Sequence, residues 1–197
     1  MSKKAMIYIG FFVVLVFTFF FWIRPYLVPE KYISSVQPFE FTNQDGKSFS
    51  NKDVEGKVYV AEFFFTTCQA ICPQMHGNMR KVYDELKNEK DFLIVSHTCQ
   101  PENDSVPRLR VYADSMNVDT QKWVFLTGRK DSLYSMARFS YTIDNPQYYV
   151  TKLTDDFIHT QFWALVNKKG KVIAVYDGIK PSEAEEMITR VRKLLKE

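Results

Sequence analysis

Cysteine and histidine are scarce in this chain, with three of each among 197 residues. Three cysteines cannot all pair with one another, so a disulfide-stapled scaffold is excluded and at least one thiol has another fate. Charge of one sign is also missing: 26 basic residues face 23 acidic ones, and the basic residues are scattered. With no arginine-rich helix and no basic–aromatic stripe, the sequence gives no reason to invoke nucleic acid. Internal repeats and low-complexity tracts are absent after the N-terminal segment, which excludes solenoid and low-complexity classes. What remains, 46% hydrophobic and 25% charged, is the composition of a globular protein.

The one long uncharged run is N-terminal. After Lys3 and Lys4, no charge occurs from Ala5 to Ile23, and Arg24 follows. A helix of ~19 residues is ~28 Å long, close to the ~30 Å hydrocarbon core of a bilayer. Trp22 and Tyr26 suit the membrane interface. A cleaved leader is the competing reading, but the stretch after the run is bulky and aromatic, with no small-x-small cleavage site. The sequence therefore predicts a membrane anchor over 1–24 and a proline-containing linker over 25–37. A single domain over 38–197 would then lie on the extracytoplasmic, periplasmic side, because Lys3 and Lys4 bias the N-terminus inwards. Thiols in that compartment are open to oxidation.

Along the domain, residues 39–50 alternate around Asp45–Gly46 and predict a hairpin. Buried strands are expected at 57–65, 91–98 and 122–128, from β-branched and aromatic content. Helices are expected after Pro73, over 104–117 with Asp104 or Ser105 as cap, and over 130–139. A strand pair flanks Lys168–Lys169–Gly170, and the closing helix starts at Pro181, acids first and bases last. Strands alternating with helices imply an α/β layer structure. The antiparallel final pair points to a thioredoxin-like three-layer fold with a central mixed sheet and an N-terminal hairpin, joined to one N-terminal transmembrane helix.

Within that order, Cys68 and Cys72 fall between a strand end and a helix start, with Pro73 directly after. The partial positive charge of a helix N-terminus favours thiolate, which is both nucleophile and metal ligand. A structural crosslink, a redox couple and a metal clamp are all open on spacing alone. The first closes so small a loop that it would stabilise little. A mononuclear site needs a further donor, and the histidines are His76, His97 and His159. His159 precedes the first strand of the last hairpin, where thioredoxin-like proteins usually carry a proline; no proline occurs between Gln147 and Pro181. His76, on a helix with many polar residues, reads as solvated, and Met75 and Met79 as core.

The stretches "FFFTTCQAICPQM", "FLTG" and "DDFIHTQFWALVNKKGKVIAVYDG" resemble the SCO family of copper-binding proteins of cytochrome oxidase assembly (SenC/PrrC-like). The resemblance spans roughly residues 38–195, and a C-x-x-x-C-P motif followed about 85–90 residues later by D-x-x-H is more specific than either piece. It implies a copper site made by Cys68, Cys72 and His159; independently of the resemblance, the neighbouring Asp155 or Asp156 is a candidate to orient the imidazole. The resemblance also implies partners: the cytochrome c oxidase subunit with the binuclear copper centre and, beside it, other copper or thiol donors. Copper chaperone is the leading role; thiol–disulfide oxidoreductase, with Cys68 and Cys72 as catalytic thiols, is the alternative. Soft thiolates select Cu(I), although zinc accepts the same residue types. One departure stands out. The family's S-[VI]-D-P-like run reads "VSHTCQPENDS" here, with Gln100 at the aspartate position and Cys99 an added thiol. On an extended segment His97 and Cys99 share a face, which makes them candidate auxiliary ligands or, for Cys99, a resolving thiol.

Overall fold

Strand-forming runs of valine, isoleucine and aromatic residues form the centre of a sheet in the computed structural model, which describes residues 2–23, 31–144 and 160–197. The chain divides into two compact units, 1–31 and 32–197. In the first, helix α1 spans Lys3–Thr18, runs on as a π-helical turn at Phe19–Ile23, and has no buried side chain. Residues Lys3–Trp22 are long and apolar enough to cross a membrane.

The second unit opens with β1 (Ser34–Ser35) and the hairpin β2 (Glu40–Asn43) and β3 (Ser48–Ser50), as the Asp45–Gly46 signal predicts. Gly46 has φ of 74°, a left-handed conformation that a side chain would strain. One helical turn, α2 (Asn51–Val54), follows; Ser50 and Asp53 close a capping box at its start. Then come β4 (Val58–Phe64), α3 (Cys72–Leu86), β5 (Phe92–Thr98), α4 (Val106–Met116) and β6 (Trp123–Thr127). Helix α5 (Lys130–Ser135) continues as a π-helical turn to Ser140. β7 (Phe162–Val166), β8 (Lys171–Asp177) and α6 (Pro181–Leu195) close the unit.

The eight strands form one mixed sheet in the order β1-β8-β7-β4-β5-β6-β2-β3. β4, β5 and β6 are parallel; β7 runs antiparallel to β4 and β8 to β7. Alternation along the strands divides the core. Val58, Val60, Phe64, Phe92 and Ile94 pack with α3 and α6 on one face, over Trp123 and Trp163. Tyr59, Ala61, Phe63, Leu93 and Val95 pack with Phe41, Leu133 and Tyr141 on the other. Helices α3, α4 and α6 on one face, the sheet, and α5 with the short α2 on the other face make three layers, as expected. The parallel strands β4, β5 and β6 carry no exposed residue, as a sheet covered on both faces requires.

Candidate functional site

The loop after β4 carries the cysteine pair at the carboxyl edge of the parallel strands, where α/β folds gather their sites. Cys72 is the first residue of α3 and Pro73 the second, where a missing N–H costs nothing. Cys68 folds back through a turn in which its N–H donates to the Phe65 carbonyl at 3.1 Å. Both thiols are free, Cys68 half-buried and Cys72 6% exposed. The two side chains are near enough for each to shift the titration of the other.

The pair is asymmetric. Burial opposes ionisation of Cys68. The Cys72 side chain and the backbone groups of Cys72, Ala70 and Ile71 outweigh it, so Cys68 titrates below the ordinary thiol value. Burial dominates at Cys72, and the neighbouring Cys68 and the Glu62 carboxylate push its pKa up further. The loop thus presents two unequal thiols, Cys68 the more acidic and Cys72 the less.

Asp104 holds the root of this loop. It is 1% exposed and accepts hydrogen bonds from the Thr66 backbone (3.2 Å), the Thr66 hydroxyl (2.6 Å) and the Thr98 hydroxyl (2.5 Å). Arg108 donates to the Thr66 hydroxyl at 2.7 Å and approaches Asp104 at 3.8 Å. Asp104 therefore does not cap α4; Ser105 takes the cap position, without a side-chain bond.

Beneath the loop lies a polar group in the apolar layer. Glu62, fully buried in β4, accepts a hydrogen bond from Ser96 at 2.5 Å, and Ser96 accepts one from the Trp123 indole at 2.7 Å. His76 Nε2 stands 3.4 Å from the same Glu62 oxygen, and His76 Nδ1 lies 2.7 Å from the Tyr112 hydroxyl. The second Glu62 oxygen has no partner among the described residues. His76 is 8% exposed, so the expectation that it is solvated is corrected. Its position four residues after Cys72, between Met75 and Met79, continues the buried stripe of α3, and that spacing was the available signal. Glu62 had a signal too, as the one charge within an otherwise apolar strand.

The other expected residues are distributed differently. His97 and Cys99 do share a face, but it is the face opposite the cysteine pair. His97 is fully buried, stacked on Phe63 (5.0 Å between centroids) and edge-on to Tyr141 and Phe41. Burial lowers its pKa to about 4. Cys99 is 3% exposed, and burial, then Cys72 and Asp104, raise its pKa well above the ordinary thiol value. His159, Asp155 and Asp156 lie outside the described residues. The described chain resumes at Thr160, whose hydroxyl donates to the Ile143 carbonyl at 2.5 Å. Among the described residues no three His, Cys, Asp or Glu side chains gather closely enough to hold a metal.

Comparison with known proteins gives a consistent picture. The SCO1/SenC family model matches residues 30–196. The SCO1 protein homolog of Bacillus subtilis is 34% identical over 161 residues, covering 80% of this chain and 81% of that protein. The structure of BsSco superimposes with a TM-score of 0.70 at 32% identity, covering 85% of this chain and 98% of that one. A disulfide switch has been identified in BsSco, a member of the Sco family of cytochrome c oxidase assembly proteins. Arabidopsis thaliana ScoI, solved with copper bound, shares the fold at a TM-score of 0.64 and 24% identity, over 81% of this chain and 99% of that one. Because the family match takes in the whole second unit, from its first strand to its closing helix, the chain belongs to the SCO1/SenC family.

Proposed function

We propose that the chain is a membrane-anchored copper chaperone that holds copper, as cargo, on Cys68, Cys72 and His159. It passes the ion by ligand exchange to the cytochrome c oxidase subunit bearing the binuclear copper centre, on the extracytoplasmic side. The observation that carries this reading is the pair of neighbouring free thiols at the start of a helix, Cys68 more acidic than an ordinary thiol. Two soft sulfurs suit Cu(I), and a neutral imidazole completes a low-coordinate site. The copper-bound Arabidopsis relative has the same fold. Asp104, through Thr66, and the start of α3 fix the two ends of the loop that carries the thiols.

The asymmetry of the two thiols favours a second reading, dithiol exchange. The Cys68 thiolate attacks a disulfide sulfur of the partner, forming a mixed disulfide and releasing one partner thiolate, which takes a proton. Cys72 then loses its proton and attacks the Cys68 sulfur. The partner's second sulfur leaves, so the partner is reduced and this chain holds the Cys68–Cys72 disulfide. The BsSco disulfide switch is in line with that step.

One experiment tests both readings: Cu(I) competition titration of the full chain in detergent, beside its rate of exchange with a small disulfide. In the chaperone reading His159→Ala weakens Cu(I) by more than the ~10–100-fold that loss of a ligand's hydrogen-bond partner costs, and leaves exchange intact. Equal weak binding by parent and variant overturns it. In the exchange reading Cys68→Ser abolishes exchange, and a rate unchanged by that substitution refutes it.

A further inference from the structure

The end of the sheet opposite the thiols is rich in lysine. A cleft of about 370 Å³ there is lined by Lys52, Lys168, Lys169 and Lys171, with Ser35 and Asn51 among its other walls; Glu55 is its one acidic residue. None of the four lysines makes an ion pair among the described residues. Lys168 donates to the Leu195 carbonyl at the end of α6, and Lys171 to the Ser35 hydroxyl. Among the described residues the cleft thus sets four lysines against one glutamate, although the chain as a whole is only +3.

Apolar side chains stand in the same place. Four large hydrophobic side chains are exposed among the described residues of the second unit, and two of them, Tyr32 and Ile33, are here at 53% each. They cannot tuck inwards, because the backbone is held: the Ile33 N–H donates to Val172 at 2.7 Å and the Val36 N–H to Gly170 at 3.0 Å. Lys171 Nζ sits 4.7 Å from the centre of the Tyr32 ring. Exposed tyrosine and aliphatic groups set among lysines are the chemistry of a membrane–water interface.

Connectivity adds a constraint. Eight peptide steps join Ile23, at the end of the apolar helix, to Lys31, a reach of at most about 28 Å. β4 joins the two poles: Tyr59 near its start pairs with Val166, just before the lysine turn, and its far end leads to Cys68. Its seven residues span about 20 Å.

We propose that this pole is a lipid-docking surface: Lys52, Lys168, Lys169 and Lys171 engage anionic phospholipid headgroups while Tyr32 and Ile33 enter the interface. Seated in this way, the domain holds the Cys68/Cys72 loop about 20 Å or more from the bilayer, facing outward. The proposal rests on α1 spanning the membrane, and the test separates the two claims.

The full chain is placed in nanodiscs of phosphatidylcholine, alone or mixed with phosphatidylglycerol, and hydrogen exchange is followed by peptide. Co-purification with either disc reports the span; its failure overturns both claims. In anionic discs, peptides covering 31–36 and 166–172 are expected to exchange about tenfold more slowly than in neutral discs, because the lysines hold this pole against the anionic surface. The thiol-loop peptide should not change. The slowing should vanish at roughly 0.5 M salt, where charges a few ångströms apart are screened. It should also vanish in the Lys168→Gln/Lys169→Gln/Lys171→Gln variant, whose Cys68 alkylation at the parent rate reports an intact domain. Equal exchange in the two lipids with the chain inserted overturns the docking surface alone. So does slowing retained in the variant, or slowing produced in neutral discs by inorganic phosphate, which would mark a site for a free anion.

Discussion

At the scale of single residues, His97 is the clearest case of a side chain whose chemistry is set by its surroundings. Phe41, Phe63 and Tyr141 enclose it, and neither ring nitrogen has a partner among the described residues. Its folded pKa is about 4, below the ordinary 6.5. The unfolded chain therefore binds the proton more readily. The resulting stability is fully present above about pH 6.5 and is lost as pH falls through 4, a loss of about 3 kcal/mol. Urea unfolding at pH 7 and pH 4.5 should show most of this loss in the parent. The His97→Phe variant, which keeps an aromatic ring in the enclosure, should show a smaller loss. An identical pH dependence in the two proteins would refute the assignment. The sequence placed His97 and Cys99 on one face correctly, by strand alternation. Which face that is depends on how β5 lies in the sheet, and it proved to be the one turned away from Cys68 and Cys72.

At the scale of elements, the last hairpin and the thiol loop are set by close backbone contacts. A Cβ at Gly178 would lie 2.5 Å from Trp163 Cε2 and 2.8 Å from the Gln161 carbonyl oxygen. The Gly178 N–H also donates to that carbonyl at 2.7 Å, and its own carbonyl accepts from the Asn78 side chain at 2.9 Å. Gly178→Ala should therefore destabilise by about 1–3 kcal/mol, read as a lower urea midpoint with unchanged slope. A midpoint equal to that of the parent would mean that Trp163 moves aside without cost. Gln161 is two residues from His159, so in the chaperone reading the same substitution also weakens Cu(I) binding. Hairpins, strands and helices were legible because turn residues and hydrophobic periods are local properties. The two-residue β1 was not, since a pair such as Ser34–Ser35 has no strand signature until β8 offers Val172 and Lys171 as partners.

At the scale of the whole molecule, the two units call for different solvents. No residue of α1 is buried, whereas the second unit has its own core on both faces of its sheet. Deleting residues 1–31 should leave a water-soluble domain whose thermal midpoint lies within about 2 °C of the full chain in detergent. A shift of about 10 °C or more would show that the N-terminal unit contributes to the domain's stability. The same division gives the lysine pole its meaning. Thiol chemistry and lipid chemistry lie at opposite ends of β4, so one can change without disturbing the other.

Local order in the chain was sufficient for the α/β class, the three layers, the N-terminal apolar helix and the place of the cysteine pair. Each of these follows from periodicity, turn residues or nearest neighbours in sequence. Only the folded sheet decided that Glu62 and His76 meet beneath Cys72, that Asp104 braces Thr66 instead of capping its helix, and that lysines from α2 and the β7–β8 turn share one pole. These features bring together residues up to about 120 positions apart, and no pattern along the chain encodes a distance that only the closing of the sheet creates.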